Sequence, residues 1–358
     1  MLSSRVRRGY FTKSGYTLAD HKVFRRITRM SLSASLVGVG IAQAILYLLF
    51  IRFIDLYERE SLRYIVPGFI WGFAVATTRS LVFNTIASIT ISNLAGNQAA
   101  SFLTAVFVAP PVEETTKGLA LLIAFLIAFA VARRRGLVEF AGVMDGIVYG
   151  SAVGFGFAIA EDILYGLQYG PETFVVRRIF GGFAHAAFTS LTGIGIGLIP
   201  WVRSGFLKVL LPLVGLTGAI LLHGAFNFTA TVFGSVAYVV LFFVIVLYAG
   251  IIIGWLALER RMIRDELREE VGAGTITAEE YSILPSYFRK KTYYLGLLFT
   301  GRFATWSRAR KVHRAAVELA VSKRLARRSD TAIRRDRVLA LRNKVGRLRG
   351  EAAAGTVV

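Results

Sequence analysis

The chain has 358 residues, of which 55% are hydrophobic, and its formal net charge at pH 7 is +21. Apolar stretches close to the ~20 residues that cross a bilayer exclude an ordinary soluble domain and indicate a polytopic membrane protein. The absence of cysteine excludes disulfide bonds, thiol catalysis and thiolate metal sites.

The positive charge is concentrated at the two ends of the chain. Residues 1–31 carry a net charge of +7 and residues 259–358 a net charge of +12, whereas residues 32–258 are close to neutral. Basic segments beside apolar spans are typical of cytoplasmic tails that contact anionic lipid, so nucleic-acid binding is not expected. We predict a basic cytoplasmic N-tail (1–31), a transmembrane domain (32–258) and a basic helical cytoplasmic or interfacial C-tail (259–358).

Hydropathy predicts an all-α transmembrane helical bundle of about eight spans. The stretch 88–111 is uncharged and weakly apolar, so it is either a span or a re-entrant hairpin. Both termini and the three arginines at 133–135 share the cytoplasmic side only if this stretch crosses, and we therefore predict that it does. The predicted spans are 33–53, 64–86, 88–111, 113–132, 144–169, 179–201, 207–229 and 233–258.

The second predicted span, 64–86, contains Arg79, a charge that needs a partner inside the membrane. The fourth opens with two prolines followed by Glu113, Glu114 and Lys117. Since proline suits the first turn of a helix, we predict a helix start near Pro111, with both glutamates in that turn. Lys117 follows the glutamates at helical spacing, so we expect it to pair with one of them and to leave the other free.

The fifth predicted span is rich in glycine, with Gly146, Gly150, Gly154 and Gly156. Glycine at four-residue spacing lets membrane helices approach closely, so we expect this span to pack closely against other helices.

The C-tail is a different kind of sequence. Thr277 and Glu280 have the spacing of a capping box, which predicts a helix start. Residues 281–300 are aromatic and basic, the character of an interfacial segment, and 308–349 are helix-prone with loosely periodic apolar residues. A basic amphipathic region on the membrane surface is the expected structure, and docking of a cytoplasmic partner is the alternative.

Five polar side chains of the predicted spans fall at a single depth. At ~1.5 Å per residue from the inner end of each span, they lie roughly 21–28 Å deep, in the outer third of the membrane. Asp145 falls near the inner end and is not part of this layer. Because the spans alternate in direction, the agreement is not a consequence of sequence spacing. The layer consists of Glu113, Glu161, His185, His223 and Asn227.

This layer contains the groups that hydrolysis needs. A glutamate can act as general base on water, an imidazole can bind a metal or polarise a carbonyl, and an asparagine can donate to an oxyanion. His/His/Glu is also a ligand set for catalytic zinc. A transporter or channel, in which the layer relays protons or ions, remains an alternative. A non-catalytic scaffold or sensor that acts through its C-tail is the other.

Four blocks of sequence here resemble the PrsW family of intramembrane proteases. They are also distantly similar to the CAAX prenyl endopeptidase and bacteriocin-immunity membrane proteases. The resemblance covers about 115 residues, and the basic C-tail lies outside it. The blocks are PVEETTKG at 111–118, DGIVYG at 145–150 with GFGF at 154–157 and Glu161, His185 with the glycines after it, and HGAFN at 223–227.

The resemblance implies a hydrolase that cuts a peptide bond of a membrane-anchored protein, within or beside the bilayer. The family's best-known role, the first cut of an anti-sigma factor on the extracytoplasmic side, agrees with the depth of the polar layer. It also implies a multi-pass protein of a bacterial plasma membrane.

The resemblance further implies roles for individual residues. Glu113 is the expected general base, and Glu114 the expected partner of Lys117. Asp162 stands where the family commonly has Asn, which leaves the supporting role of Glu161 less defined. In addition, His185 and His223 would hold the water or a metal, and Asn227 would line the oxyanion site.

The family is described as metal-dependent, so the resemblance implies a zinc ion bound by His185, His223 and Glu113. A metal-free mechanism that uses the same residues remains open. In either case we expect the carboxylate of Glu113 or Glu114 within about 6 Å of both histidines, close enough to share a water or a metal.

Overall fold

A computed structural model describes residues 18–57, 60–135, 140, 142–328 and 331–354. Over these residues the protein is helical and contains no strand, which confirms the all-α prediction. The helices form a membrane domain and a C-terminal helical unit. The membrane domain comprises α1 (Leu18–Ile54), α2 (Leu62–Ile70), α3 (Thr77–Leu103), α4 (Ala109–Arg135), α5 (Val143–Tyr169), α6 (Pro171–Gly197), α7 (Gly205–Phe233) and α8 (Ala237–Gly272).

Two apolar stretches are too long for a single crossing. Leu62–Val131 has 70 residues and Gly205–Gly272 has 68, whereas about 20 suffice to span a bilayer. The first reverses at Gly96 (φ +84°) and the second at Gly234 (φ +56°), backbone conformations that favour glycine. With three further apolar stretches, the described helices contain five candidate spans by length and composition, and the number of crossings stays a prediction. Residues 88–111 form the tip of a helical hairpin and are not a span of their own.

Hydrogen bonds across this hairpin fix the register of its two arms. Trp71 Nε1 donates to Thr116 O (3.1 Å), and Arg79 donates to Thr116 Oγ1 (3.0 Å). Arg79 thus has the partner that its membrane position required. Each arm also contains a π-helical segment, Trp71–Ala76 between α2 and α3 and Thr104–Val108 between α3 and α4.

The end of α1 lies beside the C-terminal unit. Tyr57 donates to Pro285 O (3.1 Å), and Lys290 Nζ donates to Leu56 O (3.0 Å). At the same end, Tyr149 near the start of α5 donates to Glu60 (2.5 Å). The predicted path, which put the loop after α1 and the C-tail on opposite sides, is therefore wrong. Residues 1–17 lie outside the described chain, so the side of the membrane on which the N-tail lies stays a prediction.

The glycine-rich α5 is the packing centre of the membrane domain. A Cβ added to Gly146 would lie 2.0 Å from Gly193 O on α6, and one added to Gly154 would lie 2.5 Å from His185 O. On another face, a Cβ at Gly156 would lie 2.0 Å from Phe69 O on α2. Only glycine permits such close backbone approach, which confirms the predicted role of this span.

The C-terminal unit has a hydrophobic core of its own. α8 continues without a break from the membrane domain into this unit, so the predicted boundary at residue 258 falls inside a helix. The capping box of Thr277 and Glu280 is present. The remaining helices are α9 (Ala278–Ile283), α10 (Tyr287–Phe299), α11 (Phe303–Arg328) and α12 (Ala332–Ala354). The core residues include Ile263, Leu267, Leu284, Val312, Val317 and Val345.

Candidate active site

The helix that carries Glu113 and Glu114 does not begin at the prolines. α4 continues directly from the π-helical segment Thr104–Val108, and Ala109, its first residue, has helical dihedrals (φ −61°, ψ −48°). The predicted helix start near Pro111 is therefore wrong, and the glutamates do not lie in a first turn. A π-helical turn bonds residue i to i+5, so the altered pattern gives the prolines, which lack an N–H, a place inside the helix.

Glu114 is held by polar partners on three helices. Its Oε1 lies 2.8 Å from Lys117 Nζ and 3.0 Å from His223 Nδ1, and its Oε2 accepts from Thr189 Oγ1 (3.1 Å). Glu114 and Lys117 are fully buried. The predicted pairing of Lys117 is thus present, and it engages Glu114 more closely than Glu113.

Glu113 is held more loosely. Its Oε1 accepts from Asn84 Nδ2 at 3.3 Å. Its Oε2 is buried and makes no hydrogen bond to any residue that the structure describes. The nitrogen atoms nearest to it are Lys117 Nζ at 3.6 Å and His223 Nε2 at 3.9 Å, both beyond hydrogen-bond distance. Glu113 therefore has a carboxylate oxygen available for chemistry.

The contacts of His223 determine which of its ring nitrogens carries the proton. A carboxylate only accepts hydrogen bonds, so Nδ1 donates to Glu114 and Nε2 is left with its lone pair. An imidazole oriented in this way by a carboxylate is the usual arrangement of a histidine that binds a metal.

His185 has a polar contact at each ring nitrogen. Its Nδ1 lies 3.2 Å from Lys117 Nζ, which can only donate, so the ring proton is on Nε2 and faces Glu161 Oε2 at 2.8 Å. The Lys117 ammonium also lies 3.6 Å from the centre of the Phe157 ring. Glu161 therefore orients His185, which gives this glutamate a definite contact at the site.

The polar layer predicted from depth lines one cavity of about 760 Å³, which all five members reach. His223 and Asn227 lie one turn apart on α7. Asn227 Nδ2 donates to Ala105 O (2.9 Å), a carbonyl within the π-helical segment, and so uses one of its two N–H groups. Asp145 does not line this cavity. Its carboxylate accepts a hydrogen bond from Gly142 N (3.0 Å) at the start of α5, in agreement with its predicted place outside the polar layer.

Three residues at the wall of this cavity could hold a metal ion, and two of them present a free donor atom. Both ring nitrogens of the third, His185, are already engaged, Nδ1 by Lys117 Nζ and Nε2 by Glu161 Oε2. One ligand atom each from Glu113, His185 and His223 lie within 4.8 Å of one another, inside the expected 6 Å. The orphan Glu113 Oε2 and the unprotonated His223 Nε2 are donors of the kind that zinc prefers. His185 could bind a cation through Nδ1 only after Lys117 Nζ, now 3.2 Å away, had moved from it.

Sequence reasoning missed two residues at the site, Asn84 and Thr189. Asn84 belongs to the second predicted span, where a single amide among apolar residues carries little signal. Thr189 is four residues after His185, so helical spacing alone could have placed it on the same face of α6.

Comparison with known proteins agrees with this geometry. A family model described as "PrsW family intramembrane metalloprotease" matches residues 60–251. Protease PrsW of Geobacillus kaustophilus (strain HTA426) is 31% identical over 163 residues, 46% of this chain and 66% of the relative. Protease PrsW of Shouchella clausii (strain KSM-K16) is 30% identical over 216 residues, 60% of this chain and 92% of the relative. That of Bacillus subtilis (strain 168) is 26% identical over 214 residues, 60% of this chain and 91% of the relative. No solved structure matches the chain. The family match contains every cavity residue named above and ends before the C-terminal unit.

Proposed function

Because this chain belongs to the PrsW family of intramembrane metalloproteases, we propose that it hydrolyses a peptide bond of a membrane-anchored protein in the Glu113 cavity. One observation carries the proposal. Glu113, His185 and His223 come from three helices and converge within 4.8 Å at the wall of a cavity of about 760 Å³. The family resemblance adds an anti-sigma-factor-like substrate and a cut near the extracytoplasmic side.

Glu113 is the proposed general base. Its Oε2 takes a proton from water, and the water oxygen forms a bond to the scissile carbonyl carbon while an electron pair moves onto the carbonyl oxygen. When the C–N bond breaks, the leaving amine takes the proton that Glu113 accepted. The absence of a hydrogen bond to Oε2 supports this assignment, since no other group competes for its lone pairs.

Glu114 and Glu161 support the two histidines. Glu114 fixes His223 so that Nε2 presents its lone pair next to Glu113, and Glu161 fixes the ring of His185. Asn227 is the proposed oxyanion donor, through the N–H that does not bond Ala105.

Glu113 Oε2, His223 Nε2 and, once Lys117 Nζ has moved away from it, His185 Nδ1 would hold the metal that the family name implies, with zinc as the proposed ion. Glu113 Oε2 would then be a ligand, and its role as general base belongs to the metal-free mechanism. When bound, zinc would supply positive charge that acidifies water and polarises the scissile carbonyl. The metal-free alternative assigns the orientation of the water to the two imidazoles.

The test uses protein in liposomes with a membrane-anchored substrate. Glu113→Gln and His223→Ala should lower the cleavage rate at least ~100-fold, the scale on which a general base contributes. Glu259→Gln, a glutamate outside the cavity, is the matched control. Cleavage by both cavity variants at the control's rate would reject the protease site and return the polar layer to the transporter or scaffold alternatives.

We also propose that α10 and the start of α11 contact anionic lipid. Phe288, Phe299 and Phe303 expose 79%, 87% and 64% of their surface, and Lys291 and Arg302 are exposed beside them. Tyr287 at the start of α10 packs against Phe53 of α1, with ring centroids 6.5 Å apart. Exposed aromatic residues flanked by basic ones, next to a spanning helix, suit the membrane interface.

Tryptophan at position 299 should be quenched by brominated lipids in vesicles, whereas tryptophan at the exposed Glu279 of α9 should not. Phosphatidylglycerol should increase the quenching at position 299. Equal quenching at the two positions would contradict lipid contact by α10.

A further inference from the structure

We propose that Asn84 is a positioning residue that gives the two carboxylate oxygens of Glu113 different roles. Its amide holds Oε1, so that Oε2 is the oxygen that accepts the proton or binds the metal. This inference rests on the function proposed above, and it assigns a role at the site to α3.

The orientation of the Asn84 amide follows from the chemistry of its neighbour. A carboxylate has no hydrogen to donate, so the group 3.3 Å from Glu113 Oε1 must be Nδ2. The opposite orientation would bring two acceptors together. The Asn84 contact is therefore directional and fixes the rotation of the Glu113 carboxylate.

Asn84 is also the sole hydrogen-bond donor to Glu113 among the residues that the structure describes. Lys117 Nζ at 3.6 Å and His223 Nε2 at 3.9 Å face Oε2 without bonding it. Glu114, by contrast, is held by Lys117, His223 and Thr189. Without Asn84, no hydrogen bond would determine which way the Glu113 carboxylate turns.

The apolar surroundings of Asn84 indicate that its side-chain amide has a functional role. It stands on a membrane-domain helix whose neighbouring apolar side chains Leu81, Phe83 and Ile86 are 53%, 49% and 58% exposed. A polar side chain there is costly unless it is hydrogen-bonded, and such residues usually serve function. Asn84 is partly buried and turned towards the cavity that it lines.

A purely structural role, as a link between α3 and α4, is the competing explanation, and the chain offers a matched control for it. Arg79 makes the other described side-chain hydrogen bond from α3 to α4, to Thr116 Oγ1 at 3.0 Å, and it does not contact Glu113. Arg79→Met removes a comparable link and leaves the carboxylate untouched.

The experiment measures kcat, KM, the zinc dissociation constant and thermal stability for Asn84→Ala, Asn84→Asp and Arg79→Met. Loss of a group that orients a ligand typically costs ~10–100-fold in activity or metal affinity. We expect both Asn84 variants to lower kcat and weaken zinc binding by that factor, with KM within about twofold. Arg79→Met should leave kcat and zinc binding within about twofold, whatever its effect on stability. In a Glu113→Gln background, Asn84→Ala should add less than about twofold, because the group that it positions is already lost.

Asn84 variants with wild-type kcat and zinc affinity, or equal losses in Arg79→Met, would overturn the inference. If the wild type binds zinc but cleaves nothing, the proposed function fails while zinc affinity still decides the role of Asn84. If it cleaves without zinc, kcat decides it. If it does neither, both proposals fall.

Discussion

Replacing Lys117 with methionine should strongly destabilise the membrane domain. The Lys117 ammonium is fully buried, 2.8 Å from Glu114 Oε1, 3.6 Å from Glu113 Oε2 and 3.2 Å from His185 Nδ1. Methionine fills a similar volume but leaves two buried carboxylates without their shared cation. Removal of one partner from a buried ion pair typically costs ~3–5 kcal/mol, and we expect a loss of this size in the free energy of unfolding.

The double variant Lys117→Met/Glu114→Gln tests the electrostatic origin of this loss. Glutamine keeps the shape of Glu114 and removes one uncompensated charge, so the double variant should recover about half of the loss. The assay is reversible unfolding in mixed detergent micelles, with the exposed Lys208→Met as control, expected within about 0.5 kcal/mol of wild type. A single-variant loss below ~1 kcal/mol, or a double variant less stable than Lys117→Met, would refute the reasoning.

Three further predictions concern packing, metal and pH. A Cβ at Gly154 would lie 2.5 Å from His185 O, so Gly154→Ala should lower the free energy of unfolding by ~1–3 kcal/mol and the cleavage rate at least ~10-fold. Gly218→Ala, whose new Cβ would have 3.7 Å to its nearest neighbour, is the control and should behave as wild type. Equal unfolding curves for the two variants would contradict this prediction. Chelation should abolish cleavage and zinc should restore it, while cleavage that persists in metal-free protein would favour the mechanism without metal. Burial of His313 in α11 lowers its pKa to about 4. As the pH falls below ~6.5, the unfolded chain therefore binds a proton at this histidine before the folded chain does. The free energy of unfolding of the C-terminal unit should fall by up to ~3 kcal/mol between pH 6.5 and 4. Hydrogen exchange of α11 against pH measures this loss, and His313→Gln should flatten the profile; an equally steep profile in the variant would assign the loss to other groups.

The predicted site residues were recognisable because each is a polar exception in an apolar helix. Glu113, His185, His223 and Asn227 are costly at that depth, and a common depth reduced the ways in which they could meet. Asn84 and Thr189 were not predicted, because an isolated Asn or Thr is ordinary in a membrane helix. Only their contacts in the folded structure identify them.

The topology was less accessible from the sequence for two physical reasons. The reversal at Gly96 lies in a stretch without charges, so neither side of the membrane is marked there, and one glycine with φ +84° makes the turn. The prolines before Glu113 suggested a helix start, but the π-helical segment Thr104–Val108 keeps the helix continuous. Local sequence predicts hydrogen-bonding preferences, whereas these outcomes depend on how two helices pack.

The fold of the C-terminal unit was also only partly predictable from the sequence. The apolar residues of α11 have a loose period because they pack against α8, α12 and Tyr57. Its folded core could not be inferred from composition, which indicated only a basic helical tail.

α8 runs unbroken through both parts of the protein, so a rigid tilt of this helix would move both of them. At 36 residues and ~1.5 Å per residue, the helix is about 54 Å long, and a tilt of about 5° at one end would move the other end by roughly 5 Å. Tyr248, in its membrane half, is hydrogen-bonded to Ser151 of α5, and Glu270, near its far end, is clamped by Arg342 of α12. These two contacts therefore link the C-terminal unit, through one continuous helix, to α5, the helix against which His185 is packed.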